Sequence, residues 1–167
     1  MQIRRAKPAD AAALVEHIKA IVSEPQRTAP LYPDEVADEK AERALILQYE
    51  DSDSAAMFVA EEQGQIVGDI TVRAISPRRA LQHVASLGMS VRASHRRRGI
   101  GRALLEEGIA WARAGEITRL ELYVFADNAP AIALYEALGF QHEGRRKHLV
   151  RFEDHYVDDL VMALLLE

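Results

Sequence analysis

The chain of 167 residues contains no cysteine, which excludes disulfide bonds, thiolate metal ligands and a cysteine nucleophile. The six histidines are scattered without an i, i+4 pair, so we predict no metal site and expect them on the surface or locally bonded. Long apolar runs are absent too, because the longest, 160–166, is far too short to span a bilayer. We therefore predict a cytoplasmic protein with no membrane partner.

Positive charge is in the minority, and aromatic residues are scarce. Lysine and arginine number 21 against 26 acidic residues, a formal net charge of -5, and aromatics make up 6% of the chain. Nucleic-acid-binding domains are usually basic and carry stacking aromatics, so nucleic acid is not a predicted partner. The sequence shows no linker, repeat or low-complexity segment. A single domain over 1–167 is predicted.

The positive charge that is present concentrates in one short segment. Five arginines lie between positions 92 and 102, around Gly99 and Gly101. A helix N-terminus offers unpaired N–H groups and partial positive charge to an anion, and glycine lets the backbone come close. The segment therefore predicts a phosphate-binding loop that opens a helix. Its predicted contributors are Arg96, Arg97, Arg98, Gly99, Ile100, Gly101 and Arg102.

Spacing excludes two common phosphate-binding motifs. A Walker-type P-loop needs four residues between its glycines, whereas a single residue separates Gly99 from Gly101. A dinucleotide fingerprint needs glycine or alanine at position 104, which is leucine. The loop therefore belongs to neither of these two classes of phosphate-binding motif.

The hydrophobic pattern along the chain predicts alternating blocks of helices and strands. A helix from Pro8 to Val22 follows the first strand, and a second helix is predicted to start with Asp34 as N-cap and to end near Glu50. Further helices are predicted over 99–114 and 128–138. Strands are predicted over 2–5, 56–61, 65–73, 84–91, 119–125, 140–152 and 156–166. This order predicts an α+β fold on one mixed, mostly antiparallel seven-stranded sheet flanked by about four helices.

Two motifs in this order resemble the GNAT superfamily of acyl-CoA-dependent N-acyltransferases. The family hallmark, Gln or Arg followed by x-x-Gly-x-Gly or Ala, matches residues 96–101. Residues 128–140 are similar to a second family pattern, with asparagine, alanine three residues later, Leu-Tyr and a closing Leu-Gly-Phe. The tail is similar to the branch of ribosomal-protein N-terminal, phosphinothricin and amino-acid acetyltransferases.

The resemblance implies an acyl-CoA slot between two splayed parallel strands, here 84–91 and 119–125. By analogy, the backbone of Met89 and Val91 pairs with pantetheine, amides of 97–102 hold the pyrophosphate, and Asn128 bonds the pantetheine arm. An unpaired strand amide near Met89 or Ser90 would donate to the acyl oxygen. Acetyl-CoA is accordingly the expected co-substrate, without a metal.

Tyr135 has two readings. Helical spacing places it with Leu134 and Leu138 on one apolar face, which favours a core residue. The family resemblance instead implies that its hydroxyl donates to the departing thiolate. A phenol with a reference pKa near 10 is a neutral donor at physiological pH.

A dedicated base is not evident in the sequence. Some relatives carry a glutamate on one of the two slot strands, but 84–91 contains no acid and the position five residues before Asn128 is Tyr123. Glu121 lies on the same strand face as Tyr123 and is the nearest candidate base. A solvent-facing strand residue fits Glu121 equally well.

We therefore predict acetyl transfer from acetyl-CoA to a primary amine by direct attack. The predicted acceptor is a low-pKa amine, such as an amino acid, a peptide N-terminus or a small amine, deprotonated through water. An acyl-CoA-binding sensor or regulatory module without turnover is the alternative. A homodimer through a sheet edge or the C-terminal strands is compatible with the resemblance.

Overall fold

Residues 1–166, which the computed structural model describes, form one seven-stranded sheet and four α-helices. The strands are β1 Gln2–Arg5, β2 Ala55–Glu62, β3 Gln65–Ala74, β4 Val84–Val91, β5 Arg119–Phe125, β6 Gln141–Arg151 and β7 Tyr156–Leu165. The helices are α1 Ala11–Val22, α2 Glu39–Glu50, α3 Ile100–Ala114 and α4 Ala129–Ala137. The predicted bounds of β4 and β5 are confirmed to the residue.

The strand order in the sheet is β1-β2-β3-β4-β5-β7-β6. All neighbours pair antiparallel except β4 and β5, which are parallel because α3 connects them. Gln63 and Gly64, both at positive φ, turn β2 into β3 as a two-residue hairpin requires. The mixed, mostly antiparallel sheet predicted from the sequence is confirmed.

Helices cover both faces of the sheet, and alternate residues of β2 belong to the cores on opposite faces. Phe58 belongs to the core beneath α3, together with Leu104, while Val59 belongs to the core beneath α1 and α2, together with Leu14. Because successive strand residues point to opposite faces, one strand supplies both cores. We call the two faces the α1 side and the α3 side of the sheet; α4 packs on the α3 side.

The first two helices begin later than the pattern predicts. The N-cap of α2 is Asp38, whose carboxylate accepts from Ala41 N at 2.8 Å, so the predicted N-cap Asp34 is wrong. Pro33–Glu35 is a separate 3₁₀ turn, in which the Glu35 carboxylate accepts from Tyr32 N at 2.8 Å. These local hydrogen bonds close a separate turn, so that α2 begins only after it.

The proline at position 8 likewise opens a 3₁₀ turn, Pro8–Asp10, and α1 follows at Ala11. The Asp10 carboxylate accepts from Lys7 N at 2.7 Å and from the Arg4 guanidinium at 2.7 and 2.8 Å. Arg4 also binds Glu61 of β2. This ion-pair network fastens the start of α1 to the edge of the sheet.

The sheet opens between β4 and β5. Only the first three residue pairs of these strands are in register, and the last is Ser86 with Glu121. Beyond that pair, 87–91 and 122–125 are not hydrogen-bonded to each other, and we call the gap between these segments the wedge. The predicted splay of the two parallel strands is confirmed.

Candidate active site

A cavity of about 820 Å³ is centred on the wedge. Its walls come from five places in the chain: the open ends of β4 and β5, the segment that starts α3, α4 with the turn that precedes it, and the end of α1 with the segment after it. The lining includes Leu87, Gly88, Met89, Ser90, Val91, Arg96, Arg97, Gly99, Ile100, Gly101, Arg102, Tyr123, Asn128, Leu134, Tyr135, Gln26, Thr28 and Pro30. Most of the predicted site residues are thus brought together.

The cavity runs through the sheet rather than along one face. Met89 and Tyr135 belong to the core on the α3 side. Ser90 points to the α1 side, where its hydroxyl lies 2.7 Å from His17 of α1, and Pro30 of the segment after α1 also lines the cavity. A molecule bound on the α3 side can therefore meet a second molecule entering from the α1 side.

The backbone of β4 presents alternate residues to the wedge. Ile75 N donates to Val84 O, and Arg92 N donates to Val67 O, which fixes the hydrogen-bonded pairs of the β3–β4 ladder. The even-numbered residues of β4 therefore direct their backbone groups at β3, and Met89 and Val91 direct theirs at the wedge. Of the two amides considered from the sequence, Met89 N–H is the one that faces the wedge.

The start of α3 is wound tightly by two residues in the left-handed region. Arg97 has φ 62° and Gly99 has φ 81°, and Gly99 occupies the N-cap position without a side-chain cap. The first N–H groups of α3 are thus left for an external acceptor. At Gly101 a Cβ would lie 3.1 Å from a methyl of Leu134, so glycine lets α3 pack closely against α4.

Three of the four predicted arginines lie at the cavity. Arg96, Arg97 and Arg102 line it, and Arg96 Nε donates to Val91 O at 2.9 Å while its guanidinium pairs with Glu24. Among residues 1–166, Arg98 is the predicted arginine that does not line the cavity, and its guanidinium donates to Glu62 at 2.8 Å. Glu24 and Glu62 lower the net positive charge of this loop.

Asn128 is the N-cap of α4 and lines the cavity at the turn from β5. Its Oδ1 accepts from Ala131 N at 3.3 Å, which leaves the side-chain NH₂ as a donor toward the cavity. The cap and the predicted contact with a ligand therefore use different atoms of the same amide.

Tyr135 is both a core residue and a cavity residue. It is 6% exposed, it packs edge-on against Phe140 with ring centroids 5.8 Å apart, and it lines the cavity. Burial raises the pKa of the Tyr135 phenol to about 12. The hydroxyl is therefore a neutral hydrogen-bond donor throughout the usable pH range.

Glu121 reaches the cavity only through a neighbour. Its carboxylate accepts from Tyr123 Oη at 3.1 Å and from Arg119 at 3.4 Å, and Tyr123 lines the cavity. The pKa of Tyr123 is raised by burial and by the Glu121 carboxylate. The Arg146 guanidinium stacks on the Tyr123 ring at 4.1 Å from the centroid and pairs with the buried Asp159.

His17 is the residue that sequence reasoning missed. The expectation of surface or locally bonded histidines is wrong for it, since it is fully buried and bonds to Ser90 and Asp69, far away in sequence. The available signal was spacing, because Leu14, His17 and Ile21 share one face of α1. A histidine on the core-facing stripe of a helix needs polar partners across the interface.

Within residues 1–166, no three acidic or histidine side chains are grouped so that they could hold a metal ion. None of the four helices described above combines the length and apolarity needed to cross a membrane.

The fold and this site define the acetyltransferase class built around a split parallel strand pair. The model of the acetyltransferase (GNAT) family matches residues 18–140, and the chain belongs to that family. It is 38% identical over 110 residues to an L-amino acid N-acetyltransferase of Escherichia coli (strain K12), covering 64% of this chain and 65% of the relative. The matched part is thus just under two thirds of that relative's length.

Solved structures match over nearly the whole chain. An acetyltransferase of the GNAT family from Streptococcus pneumoniae superposes with a TM-score of 0.91 at 29% identity, covering 99% of both chains. A phosphinothricin acetyltransferase from Sinorhizobium meliloti in complex with acetyl-CoA superposes with a TM-score of 0.85 at 25% identity, covering 99% of this chain and 88% of that one.

Proposed function

We propose that the protein is an acetyl-CoA-dependent N-acetyltransferase acting on a primary amine. The observation that carries this proposal is the wedge, which opens the sheet beside an uncapped helix start and is reached from both faces. Such a passage suits a reaction in which the donor binds on one face of the sheet and the acceptor nitrogen reaches the donor's carbonyl carbon from the other face.

The α3 side of the cavity fits the donor. Met89 and Val91 offer backbone groups along the wedge, to which an extended pantetheine arm can add as a strand. The N–H groups at the start of α3, with Arg96, Arg97 and Arg102, suit a pyrophosphate. The role predicted for Arg98 stays a prediction, with Glu62 as its competitor.

In the proposed reaction the amine nitrogen attacks the thioester carbonyl carbon, so that an N–C bond forms and the C–S bond breaks. Met89 N–H stabilises the oxygen on which negative charge develops. Tyr135 donates its proton to the departing thiolate, which a phenol with a raised pKa can do only as a weak acid. The nitrogen must lose a proton as the new bond forms.

Glu121 is one candidate to receive that proton. It does not line the cavity, but the Tyr123 hydroxyl that donates to it does. In this role Tyr123 would carry the proton to the Glu121 carboxylate. Arg119 also contacts the Glu121 carboxylate, at 3.4 Å.

The acceptor we propose is an α-amine, in an amino acid or at a peptide N-terminus. At a peptide N-terminus the reference pKa near 7.8 leaves a usable fraction unprotonated at neutral pH, unlike the lysine value near 10.4. The relative named as an L-amino acid N-acetyltransferase supports this choice. On the α1 side, Arg146 lies over the ring of Tyr123, which lines the cavity, and could attract a carboxylate, although Asp159 already pairs with it.

The test is a panel of amines incubated with acetyl-CoA while free CoA is followed. Turnover of an amino acid or peptide is the expected result and excludes the sensor considered from the sequence. Tight acetyl-CoA binding without turnover of any amine contradicts the proposal. Single-domain organisation, a homodimer, absence of nucleic-acid partners and a cytoplasmic location stay predictions.

A further inference from the structure

Three polar side chains form a cluster on the α1 side of the cavity. The imidazole of His17 is fully buried, and its Nε2 lies 2.7 Å from Ser90 Oγ and 3.2 Å from Asp69 Oδ1. The Ser90 hydroxyl donates to Asp69 Oδ1 at 2.6 Å. We call His17, Asp69 and Ser90 the polar cluster. It joins α1, β3 and β4 at the point where β4 borders the wedge.

The distances fix where the hydrogens lie when Asp69 is ionised. Ser90 has one hydroxyl hydrogen, and the short contact to the carboxylate uses it. The contact between Ser90 Oγ and His17 Nε2 therefore needs a hydrogen from the imidazole, so His17 is protonated on Nε2. One lone pair of Ser90 Oγ accepts from His17, and the other is free to face the cavity that Ser90 lines.

Burying this polar cluster costs free energy that a purely structural contact between apolar side chains would not. His17 Nδ1 is buried and has no hydrogen-bond partner within residues 1–166. A second acid lies on α2, where the pKa of Glu42 is raised by burial and by the Asp69 charge. Buried polar groups left incompletely paired beside a cavity are typical of functional sites.

We propose that Ser90 and Asp69 form a proton relay for the acceptor amine, with His17 as the residue that positions it. This inference rests on the proposed acetyltransferase function. As the amine attacks, its N–H bond breaks and a new O–H bond forms on Ser90, while the original Ser90 hydrogen moves to the Asp69 carboxylate. Asp69 later releases that proton to solvent. The thiol proton comes from Tyr135, which then regains a proton from solvent, so that both residues return to their starting states.

His17 acts in this relay without gaining or losing a proton. Its Nε2–H donates to Ser90 Oγ and so keeps the Ser90 hydrogen directed at Asp69. The relay has as many steps as the path through Tyr123, but its contact between hydroxyl and carboxylate is shorter, 2.6 Å from Ser90 to Asp69 against 3.1 Å from Tyr123 to Glu121. The cluster thus supplies a base beside β4, a strand that itself carries no acid.

The kinetic test compares Ser90→Ala, Ser90→Thr and Asp69→Asn, with Ser86→Ala as the matched control on the same face of β4. We expect kcat to fall about a hundredfold in Ser90→Ala and Asp69→Asn, and to stay within about tenfold of wild type in Ser90→Thr, which keeps a hydroxyl. The wild-type decrease of kcat at low pH should persist in Ser86→Ala and vanish in Asp69→Asn.

Two results would overturn the relay. One is that Asp69→Asn keeps the wild-type pH profile of kcat while Glu121→Gln loses the decrease of kcat at low pH. That pair of results would identify Glu121 as the base. The other is a nitrogen-15 NMR spectrum of the imidazoles showing His17 protonated on Nδ1 instead of Nε2. Acetyl-CoA binding, measured by calorimetry, and circular dichroism establish that each variant folds. Absence of wild-type turnover would count against the proposed function, whereas the NMR result bears on the relay alone.

Discussion

Tyr135 shows how one side chain can satisfy a packing rule and a chemical role together. Its ring completes the apolar face of α4 against Phe140, while the same residue lines the cavity. The sequence alone favoured the core, and the family motif favoured the acid. The position of the ring is compatible with both, because the wedge cuts into the core and turns buried residues into cavity walls, while the acid role stays a prediction.

Tyr135→Phe keeps the ring and removes the proposed acid. We expect kcat to fall by about one to three orders of magnitude with little change in the KM for acetyl-CoA. Because the pKa of Tyr135 is about 12, no decrease of kcat from its ionisation should occur below pH 11. Steady-state kinetics over pH 6–10 check this. Tyr156→Phe, on an exposed tyrosine of β7, is the control, and equal activity of both variants would contradict the acid role.

At the scale of elements, the start of α3 depends on the backbone of Gly99. A Cβ at this position would meet nothing within 4 Å, so the constraint is the φ of 81° alone. Gly99→Ala should lower the free energy of unfolding by about 1–2 kcal/mol and raise the KM for acetyl-CoA, because the loop must leave the left-handed region. Gly99→Asn should be milder, since asparagine tolerates that region.

Denaturant unfolding and steady-state kinetics measure the two effects. Gly144→Ala is the matched control, because it too has open space around the added Cβ, but its φ lies outside the left-handed region. A Gly99→Ala variant as stable and as active as Gly144→Ala would show that the left-handed turn is not needed for donor binding.

The network at the start of α1 predicts a pH-dependent stability. The Arg4 guanidinium and Lys7 N–H hold the pKa of Asp10 below its ordinary value. A carboxyl whose folded pKa is lowered stabilises the fold above its unfolded pKa near 3.9 and loses that contribution as pH falls through the folded value. Asp10→Asn should therefore lower the free energy of unfolding by about 1–3 kcal/mol at pH 7.

The difference between Asp10→Asn and wild type should be constant from pH 7 to about pH 5 and shrink below about pH 4. Urea unfolding at several pH values measures it, with Asp53→Asn at an exposed aspartate as the control. A deficit that grows as the solution becomes more acidic would contradict the sign of the Asp10 shift.

Element bounds were most predictable where periodicity and glycine signals agreed. The bounds of β4 and β5 followed from apolar runs between turn residues, and α3 followed from the Gly-x-Gly step. The start of α2 was wrong because Asp34 and Asp38 are both good caps by composition. The bond from Glu35 back to Tyr32 N decides between them, and it depends on the geometry of a proline turn.

At the scale of the molecule, charge is distributed unevenly. The net charge is -5, yet Arg96, Arg97 and Arg102 surround the end of the cavity that suits phosphates. The KM for acetyl-CoA should therefore rise on the order of threefold to tenfold between low and high salt, as screening weakens the attraction. Acetyl-pantetheine, which lacks the phosphates, is the matched substrate and should show little salt dependence. Equal salt dependence for both would contradict the phosphate assignment.

The polar cluster shows what sequence patterns could not supply at this scale. The donor half of the site lies within one stretch of chain, 84–135, whose motifs are read directly. His17, Asp69 and Ser90 lie far apart in sequence, and only the order of strands and the crossing of α1 bring them together. No local periodicity encodes such a meeting, so it requires the folded molecule.

Because of the wedge, β4 and β5 carry unpaired backbone edges in the interior of the sheet. Edges normally lie at the periphery, where short strands and charges protect them from pairing with other chains. Here the missing strand is a small metabolite if a pantetheine arm pairs with Met89 and Val91, so donor binding and completion of the sheet become one event. The population of intact folded protein in a cell would then follow the supply of that metabolite, because a ligand that binds only the native state shields the chain from unfolding and proteolysis.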